Sequence, residues 1–461
     1  MYHFSMLPLP FVHQMKSLLG EEAFGLFKAA LAQPTPTSIR LNPKKVATGQ
    51  DYLNLGKRSP VPWHPAGYYL SERPVFTLDP AFHAGAYYVQ EASSMFLHEA
   101  LRQTVDFSKP LRVLDMCAAP GGKSTLLASM MEERGLLVAN ETVRTRTNSL
   151  RENLEKWGHN NVGVTSGPSE DFAALDSFFD VVLVDAPCSG EGLFRKDPDA
   201  VSEWSPEAVS HCAVRQKNIL TAAVECLAPG GVLAYSTCTY NSLENGDNVA
   251  WLSEKYDLEV LPLLVPAEWG IEIRGGGHQF YPHRLLGEGF FIAVLRKKNG
   301  PERNYRPASG SFRSLTPLSK AQIPEVSRWL GQQVDYRFFQ TPSGGVLALR
   351  AELESDYLLL DKTMKTKWFG TAIGTFKGKD FVPDHALALS LEVSPELPAL
   401  EVTLDQALRF LKKETFDLAA GYPTGWVLIR YQGLHLGWIK ALPNRMNNYL
   451  PPERRIRMDI R

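Results

Sequence analysis

Two cysteines sit in short polar stretches directly after apolar runs: Cys188 in "DAPCSGEG" (185–192), after "FDVVLV", and Cys238 in "STCTYN" (236–241), after "GGVLAY". A thiol placed this way is a buried structural group, half of a redox pair, a metal ligand or a catalytic group. The chain carries five cysteines, the other three being Cys117, Cys212 and Cys226. None forms a CxxC pair and the number is odd. That argues against a disulfide framework, a thioredoxin-type motif and a standard zinc site, so no metal is expected. Cys117, Cys212 and Cys226 read as small buried hydrophobes. A further stretch, "VLDMCAAPGGKS", leads from an apolar segment through small residues into a helical pattern. Pro120, Gly121 and Gly122 allow a sharp turn with room for a ligand against the backbone, and the helix start offers free N–H groups. The stretch fits neither the GxxxxGK[ST] phosphate loop nor the GxGxxG dinucleotide loop. Glu141 closes the next apolar run, "LLVANE", about 20 residues on, where a doubly wound nucleoside-binding fold sets an acid against ribose hydroxyls.

Strands and helices must hold these loops. From about 111 to 298 they alternate: "LRVLDM" strand, "GKSTLLASMM" helix, "GLLVANE" strand, "RTNSLRENLEKWG" helix, "NVGVTS" and "FDVVLVDA" strands, a helix over 206–227, then "GGVLAYST". This is the pattern of a doubly wound parallel sheet, and "EGFFIAVLRKK" adds a late strand. Residues 11–32 have helical spacing, and "PTPTSIRLNP" breaks the helix and leads into a short strand. Residues 299–315, "NGPERNYRPASGSFRSL", read as a linker. Beyond it come short strand candidates such as "GGVLALRA", "GWVLIRYQ" and "LHLGWIKAL". With 461 residues the chain has room for two to four domains, and a net charge of -1 means that any nucleic-acid contact must come from local patches. The N-terminus has no basic n-region or apolar h-region, and no apolar run approaches the ~20 residues of a membrane span, so a reducing cytoplasm is the expected compartment.

The stretches "DMCAAPGGKS", "DVVLVDAPCSGEGLFRKD" and "GGVLAYSTCTYNSLENGDNV" resemble the signature motifs of the Sun/Nop-type RNA cytosine-5 methyltransferases, and "SIRLN", "YYVQEASSM" and "GEGFFIAVLRK" resemble the motifs that flank them. The resemblance covers about 1–298. The C-terminal extension ending in "GWIKALPNRMNNYLP" is similar to that of the bacterial RsmF-like branch, which modifies 16S rRNA. The resemblance implies an α/β fold: a doubly wound Rossmann-like class I methyltransferase domain, an N-terminal α+β RNA-binding domain and a C-terminal region ending in a PUA-like β barrel. The expected division is 1–100 for the N-terminal domain, 101–298 for the S-adenosylmethionine-dependent methyltransferase domain, 299–315 for the linker, 316–385 for an intermediate RNA-binding region and 386–461 for the PUA-like domain. Residues after about 315 are expected to serve substrate affinity rather than cofactor binding.

The implied chemistry explains the residue types. Cytosine C5 is a poor nucleophile, and covalent catalysis splits one hard step into easier ones. By resemblance, Cys238 attacks C6, Cys188 assists release, and Asp185 holds the cytosine edge and touches the cofactor, with Lys123 near it. DNA cytosine-5 methyltransferases use the cysteine of the PC motif as nucleophile instead, which here would be Cys188. DAPC is not the D/N-PP-Y/F motif of exocyclic-amine methylation, which favours C5. The implied cofactor is S-adenosyl-L-methionine, contacted by the loop Cys117, Ala118, Ala119, Pro120, Gly121, Gly122 and Lys123, by Glu141 at the ribose, and by Asp185. Where family members often carry an Asp near the adenine, this chain has "TSGPSEDF", and Ser169 is the residue chosen. RNA contact is expected from Arg296–Lys298 with Arg303, Arg306 and Arg313, from the lysines of 362–379 interleaved with Trp368 and Phe376, and from Arg454, Arg455, Arg457 and Arg461. The expected substrate is 16S rRNA near the decoding region, free or in the small subunit, acted on by a monomer. The alternatives are a tRNA cytosine-5 methyltransferase and a non-catalytic ribosome-assembly factor on the same fold.

Overall fold

The computed structural model describes residues 7–46, 55–298, 307–365, 367–418, 422, 424–443 and 445–459. The helical pattern of 11–32 forms two helices, α1 (Leu9–Leu19) and α2 (Glu21–Leu31), because Gly20 between them takes a positive φ of 81°, which favours glycine. The strands β1 (Thr37–Leu41), β2 (Arg58–Pro60), β3 (Gly67–Leu70) and β4 (Tyr87–Val89) form an antiparallel sheet in the order β2-β3-β1-β4, with α3 (Pro80–His83) before the last strand. The helix α4 (Leu97–Thr104) leads into the central region.

That region alternates as its sequence pattern predicts: β5 (Arg112–Asp115), α5 (Gly122–Met131), β6 (Leu136–Asn140), α6 (Arg144–Trp157), β7 (Val162–Thr165), β8 (Phe179–Asp185), α7 (Pro198–Glu203), α8 (Pro206–Cys226), β9 (Leu227–Thr237) and α9 (Gly246–Tyr256). It ends with β10 (Leu258–Val260), β11 (Glu272–Arg274), β12 (Gly277–Phe280) and β13 (Phe290–Lys297). The C-terminal region contributes β14 (Thr316–Pro317), α10 (Ile323–Ser327), β15 (Tyr336–Gln340), β16 (Gly345–Arg350), α11 (Glu354–Thr363), β17 (Lys367–Phe369), β18 (Thr371–Lys377), β19 (Asp380–Pro383) and α12 (His385–Leu389). Last come β20 (Ala399–Glu401), α13 (Leu404–Leu411), β21 (Gly425–Tyr431), β22 (Leu434–Leu442) and β23 (Arg445–Asn448).

The main sheet runs β11-β12-β13-β9-β8-β5-β6-β7-β17, with β10 paired to β13. Its centre, β9-β8-β5-β6-β7, is parallel and apolar on both faces, as a sheet covered by helices on both sides requires. The sheet is mixed rather than wholly parallel, because β13 joins antiparallel to β9 at one side and β17 antiparallel to β7 at the other.

The expected linker and barrel are both corrected. Phe312, inside 299–315, is buried and meets Phe339 edge-on at 4.8 Å in the main core, so 307–315 is packed chain; 299–306 lies outside the described residues. The described residues of the last region form an open four-stranded sheet, β20-β21-β22-β23, not a closed barrel. The physical reason lies in its apolar face: Val427, Ile429, Ile439 and Ala441 share one core with Ala407, Leu408 and Phe410 of α13 and Ala81 of α3, and these helices rather than a further strand lie against β21 and β22.

The chain is therefore not a string of separable modules. Phe339, Leu349, Tyr357, Leu360 and Phe369 share one core with Leu114, Val138 and Val182, and each such buried side chain contributes roughly 1.5–3 kcal/mol. A chain ended at Lys298 is expected to aggregate or to lose cooperative thermal unfolding relative to the full chain. A soluble truncation that melts in one sharp transition would contradict this.

Candidate active site

The strands β8 and β9 are parallel neighbours with Asp185 opposite Ser236, and the Ser236 carbonyl accepts from Ala186 N–H at 2.8 Å. Their C-terminal ends therefore emerge side by side. Cys188 stands three residues beyond this rung and Cys238 two, and their Sγ atoms are 3.1 Å apart. The Cys238 N–H also donates to Cys188 Sγ at 3.3 Å. No disulfide joins them. The hydrogen bond to Cys238, then burial, pushes the Cys188 thiol well above the usual cysteine range, so Cys188 keeps its proton at neutral pH.

Two buried carboxylates fix the loops that carry these thiols. Glu191, three residues after Cys188, accepts from Tyr240 N–H (2.8 Å) and Asn241 N–H (3.1 Å) just past Cys238, from Trp204 Nε1 (3.1 Å), and from Gln14 Nε2 on α1 (2.9 Å). Glu244 answers from the other loop: it accepts from Ser189 N–H (3.0 Å), from Gln216 Nε2 on α8 (2.7 Å) and from Asn241 Nδ2 (2.8 Å). Asn241 Nδ2 also lies 3.1 Å from Glu191 Oε1, so one amide links both carboxylates. Gly192 N–H donates to the Cys238 carbonyl at 2.8 Å; a Cβ at Gly192 would lie 2.6 Å from Gly289 O and 2.8 Å from Cys238 O, so only glycine fits where three loops meet. Behind them, Arg195 and Glu288 form a buried pair at 2.9 Å, and Glu91 accepts from Glu288 N–H. The flanking motifs "YYVQEASSM" and "GEGFFIAVLRK" thus brace the cysteine loops from below.

The 117–123 loop faces the thiols across Asp185. Lys123 Nζ donates to Asp185 Oδ2 at 2.7 Å, and Ser236 Oγ donates to Asp185 Oδ1 at 2.7 Å. Burial opposes the charge on Lys123, but Asp185 and Asp115 outweigh it and raise the ammonium above its ordinary value. Asp115, at the end of β5, is fully buried; it accepts from Ser124 Oγ at 2.6 Å and leaves Oδ1 without a partner. Burial raises its carboxyl to about 7. The loop's carbonyls are held from behind: Ala119 O by Arg146 (2.8 Å), Pro120 O by Asn153 (2.8 Å) and Gly122 O by Arg40 (3.1 Å). The first-turn N–H groups of α5 have no partner within their own helix. Ala118 N–H donates to Asn140 O at 2.8 Å, which sets the loop beside the end of β6. There Glu141 is buried, accepts from Val143 N–H at 2.8 Å and pairs with Arg146 at 3.3 Å. Ser169 is buried at the start of the turn after β7. Burial raises the Cys117 thiol, consistent with a packed group rather than a reactive one.

The structure thus brings Cys188 beside Cys238 and Lys123 beside Asp185, which Ser236 joins to the end of β9, and ties the 117–122 loop to the end of β6, where Glu141 lies; among the described residues no contact joins Ser169 to them. The bracing residues Gln14, Glu191, Gln216, Asn241 and Glu244 escape sequence reasoning. Glu191, Asn241 and Glu244 lie within the quoted motifs, but nothing in their types separates a brace from a reactive carboxylate; Gln216 carries no signal beyond being a polar residue on a helix's buried face.

The expected RNA-facing patches change most. Arg454 is mostly buried and pairs with Glu152 (3.0 Å) and Glu155 (2.7 Å), Lys367 pairs with buried Asp361 (3.0 Å), and Lys297 donates to Val224 O and Leu227 O. Trp368 is half-buried with the Arg151 guanidinium 5.7 Å over its ring, and Phe376 packs on Phe381. These groups hold the fold together. Lys365, Lys377, Lys379, Arg313, Arg455 and Arg457 remain exposed, and Arg303, Arg306 and Arg461 lie outside the described residues. Among the described residues no helix is long and apolar enough to cross a membrane, and no His/Cys/Asp/Glu group could hold a metal ion.

Family models match three stretches: 16S rRNA methyltransferase RsmB/F at residues 103–296, the N-terminal domain of 16S rRNA methyltransferase RsmF at 7–92, and the methyltransferase RsmF PUA domain at 397–456. Ribosomal RNA small subunit methyltransferase F of Escherichia coli is 32% identical over 98% of this chain and 97% of its own length. The same enzyme of Erwinia tasmaniensis is 34% identical over 97% and 96%. Among solved structures, a methyltransferase homolog protein from Pyrococcus horikoshii is 32% identical with a TM-score of 0.54, over 62% of this chain and 94% of that one. NSun6 from the same organism, with SFG, shares the fold at a TM-score of 0.55 and 23% identity, over 64% and 99%.

Glu191→Ala strands five donor contacts in a dry interior, and each orphaned polar group costs about 1–3 kcal/mol. The substitution is expected to remove at least about 3 kcal/mol of stability in urea unfolding, with Glu191→Gln milder. An unchanged midpoint would remove Glu191 as the brace.

Proposed function

We propose that this chain, which belongs to the RsmF-like branch of the Sun family of 16S rRNA methyltransferases, transfers a methyl group from S-adenosylmethionine to C5 of a cytosine in 16S rRNA, near the decoding region. The observation that carries this reading is the pair of thiols 3.1 Å apart beside the Lys123–Asp185 ion pair.

The residues fit the cofactor. A buried Asp115 oxygen without a partner suits a cationic amino group, the start of α5 presents N–H groups to a carboxylate, and Glu141 is an acceptor at the end of β6 for ribose hydroxyls. Residues Cys117–Lys123, Glu141, Ser169 and Asp185 would hold it. Bound, S-adenosylmethionine supplies an electrophilic sulfonium methyl.

The protein's own part follows from its proton inventory. By the motif resemblance Cys238 is the sulfur that attacks, and Cys188 stands within hydrogen-bond reach of it at 3.1 Å. The Cys238 proton passes to water as its lone pair forms the bond to C6, and the C5–C6 π pair moves to C5, which would take the methyl while the sulfonium C–S bond breaks and leaves a neutral thioether. A water takes the C5 proton, the C5–H pair returns to the ring as the C5–C6 double bond, and the Cys238–C6 bond breaks with its electrons on sulfur. Cys188 stands beside that sulfur to assist its departure. Asp185, fixed by Lys123 and Ser236, is oriented toward the cytosine edge, and charged Lys123 offsets negative charge that develops there. In this reading residues 1–100 and 316–461 serve the RNA.

Cys238→Ala is expected to abolish methylation and form no covalent RNA adduct, whereas Cys188→Ala transfers the methyl and stalls as an adduct that survives denaturing electrophoresis. An adduct with Cys238→Ala but none with Cys188→Ala reverses the assignment. Bisulfite mapping of 16S rRNA from cells lacking the protein identifies the base; a fully retained 5-methylcytosine pattern refutes the substrate.

Glu141→Ala is expected to weaken S-adenosylmethionine about tenfold in calorimetry, the scale of one lost charged hydrogen bond. Equal affinities would take Glu141 out of the site.

A further inference from the structure

Among the five cysteines, all of them described and none in a disulfide, only Cys188 and Cys238 bring their sulfurs together, at 3.1 Å. Cys226 is fully buried and donates to the Ala223 carbonyl at 3.4 Å. Cys188 and Cys238 are both partly exposed, so a small solute can reach them. They follow the neighbouring parallel strands β8 and β9. Such strands lie about 4.8 Å apart, inside the Cα separations of about 4.4–6.8 Å that disulfides span. The Glu191 and Glu244 carboxylates hold the backbones of both loops. A bond between the sulfurs, now 3.1 Å apart, needs about 1 Å of sulfur movement. Side-chain rotation supplies that while the braced backbone stays in place. The thiolate is the nucleophilic form of cysteine, and a sulfur tied into a disulfide is no longer one.

We propose that Cys188 and Cys238 form a reversible redox switch: a hydroperoxide joins them in a disulfide that stops methyl transfer, and a dithiol reductant restores it. This rests on the methyltransferase reading above, in which Cys238 attacks the base. In the first step one sulfur attacks the hydroperoxide, the O–O bond breaks, and that cysteine becomes a sulfenic acid. The alcohol, or water from hydrogen peroxide, leaves with the thiol's proton. In the second step the other sulfur displaces the sulfenic hydroxyl, which leaves as water with the second thiol's proton. The two thiols together lose two electrons and two protons, and the hydroperoxide takes them up. The second step is fast only for a thiol already in contact, which the 3.1 Å separation supplies.

The test treats the reduced full chain with hydrogen peroxide at about one equivalent, enough for one disulfide. Free thiols are then alkylated, the chain is digested and its peptides are weighed, and 5-methylcytosine formation and thermal unfolding are measured on the intact protein. The Cys188 and Cys238 peptides are expected to be found joined, with Cys117, Cys212 and Cys226 alkylated. Methyl transfer is expected to fall at least about tenfold, since the nucleophile is tied up. Dithiothreitol is expected to free both thiols and to return activity to within about twofold. The thermal midpoint is expected to stay level or rise, as a cross-link within an intact fold requires. Two thiols that stay free, or one oxidised to a sulfinic acid beside a free partner, overturn the proposal. So does a disulfide to another cysteine, activity that reductant does not restore, or a midpoint that drops, which would make the loss one of unfolding. Reduced wild-type protein that forms no 5-methylcytosine defeats the reaction assigned above, while the disulfide is still judged by peptide mass.

Discussion

Glu191 is a carboxylate with no exposed surface, and the placement of both thiols depends on how it is satisfied. A buried carboxylate is tolerated only when hydrogen-bond donors replace its water. Here the donors come from α1, from Trp204 and from the Tyr240–Asn241 backbone, segments far apart in the chain. They reach the carboxylate together only when the N-terminal helices, the Cys188 loop and the Cys238 loop are all in place. The apolar packing has the same footprint: Phe11 and Phe27 of α1 and α2 meet Phe194, Trp204 and Tyr240 from the two loops. Glu244 repeats the device on the α8 side, where Gln216 and Ser189 supply the donors. Two strand ends bring the thiols near one another, and these two carboxylates hold them there.

The same low-dielectric interior arranges the protons. Lys123 is buried yet keeps its charge because Asp185 and Asp115 are close. Asp115, deeper still and with one unpartnered oxygen, is driven up to about 7. Cys188 is driven the same way by its hydrogen bond to Cys238 and by burial.

The flanking regions are structural parts of the central region. Arg40, buried on β1, donates to Gln90, Thr125 and the Gly122 carbonyl and lies 4.5 Å over the Trp157 ring, so the N-terminal sheet is pinned to the start of α5. Burial lowers this guanidinium to about 9, a sign of how dry the joint is. The last sheet packs its apolar face on α13 and on α3 of the N-terminal region, and β17 extends the main sheet beyond β7. Many of the chain's basic residues are used in these joints, which is why a near-neutral protein has few cations free near the reacting groups.

The sequence by itself determined the order of the central strands and helices, because apolar runs of strand length alternating with helical spacing leave one economical packing, and because "DAPC" and "STC" follow two such runs. It also determined the turn at 117–123, through Pro120 and the two glycines. The pairing of Asp185 with Ser236, and hence the thiol contact, needed the β8–β9 register, which no local pattern encodes. The burial of Phe312 and the open form of the last sheet were likewise decided by partners far away in the chain. So were the duties of the charged residues: Glu191, Glu244, Arg454 and Lys367 look like solvated or reactive groups when read locally. Only long-range packing sets which of them loses its water, and a charge that loses its water must find a partner or change its protonation.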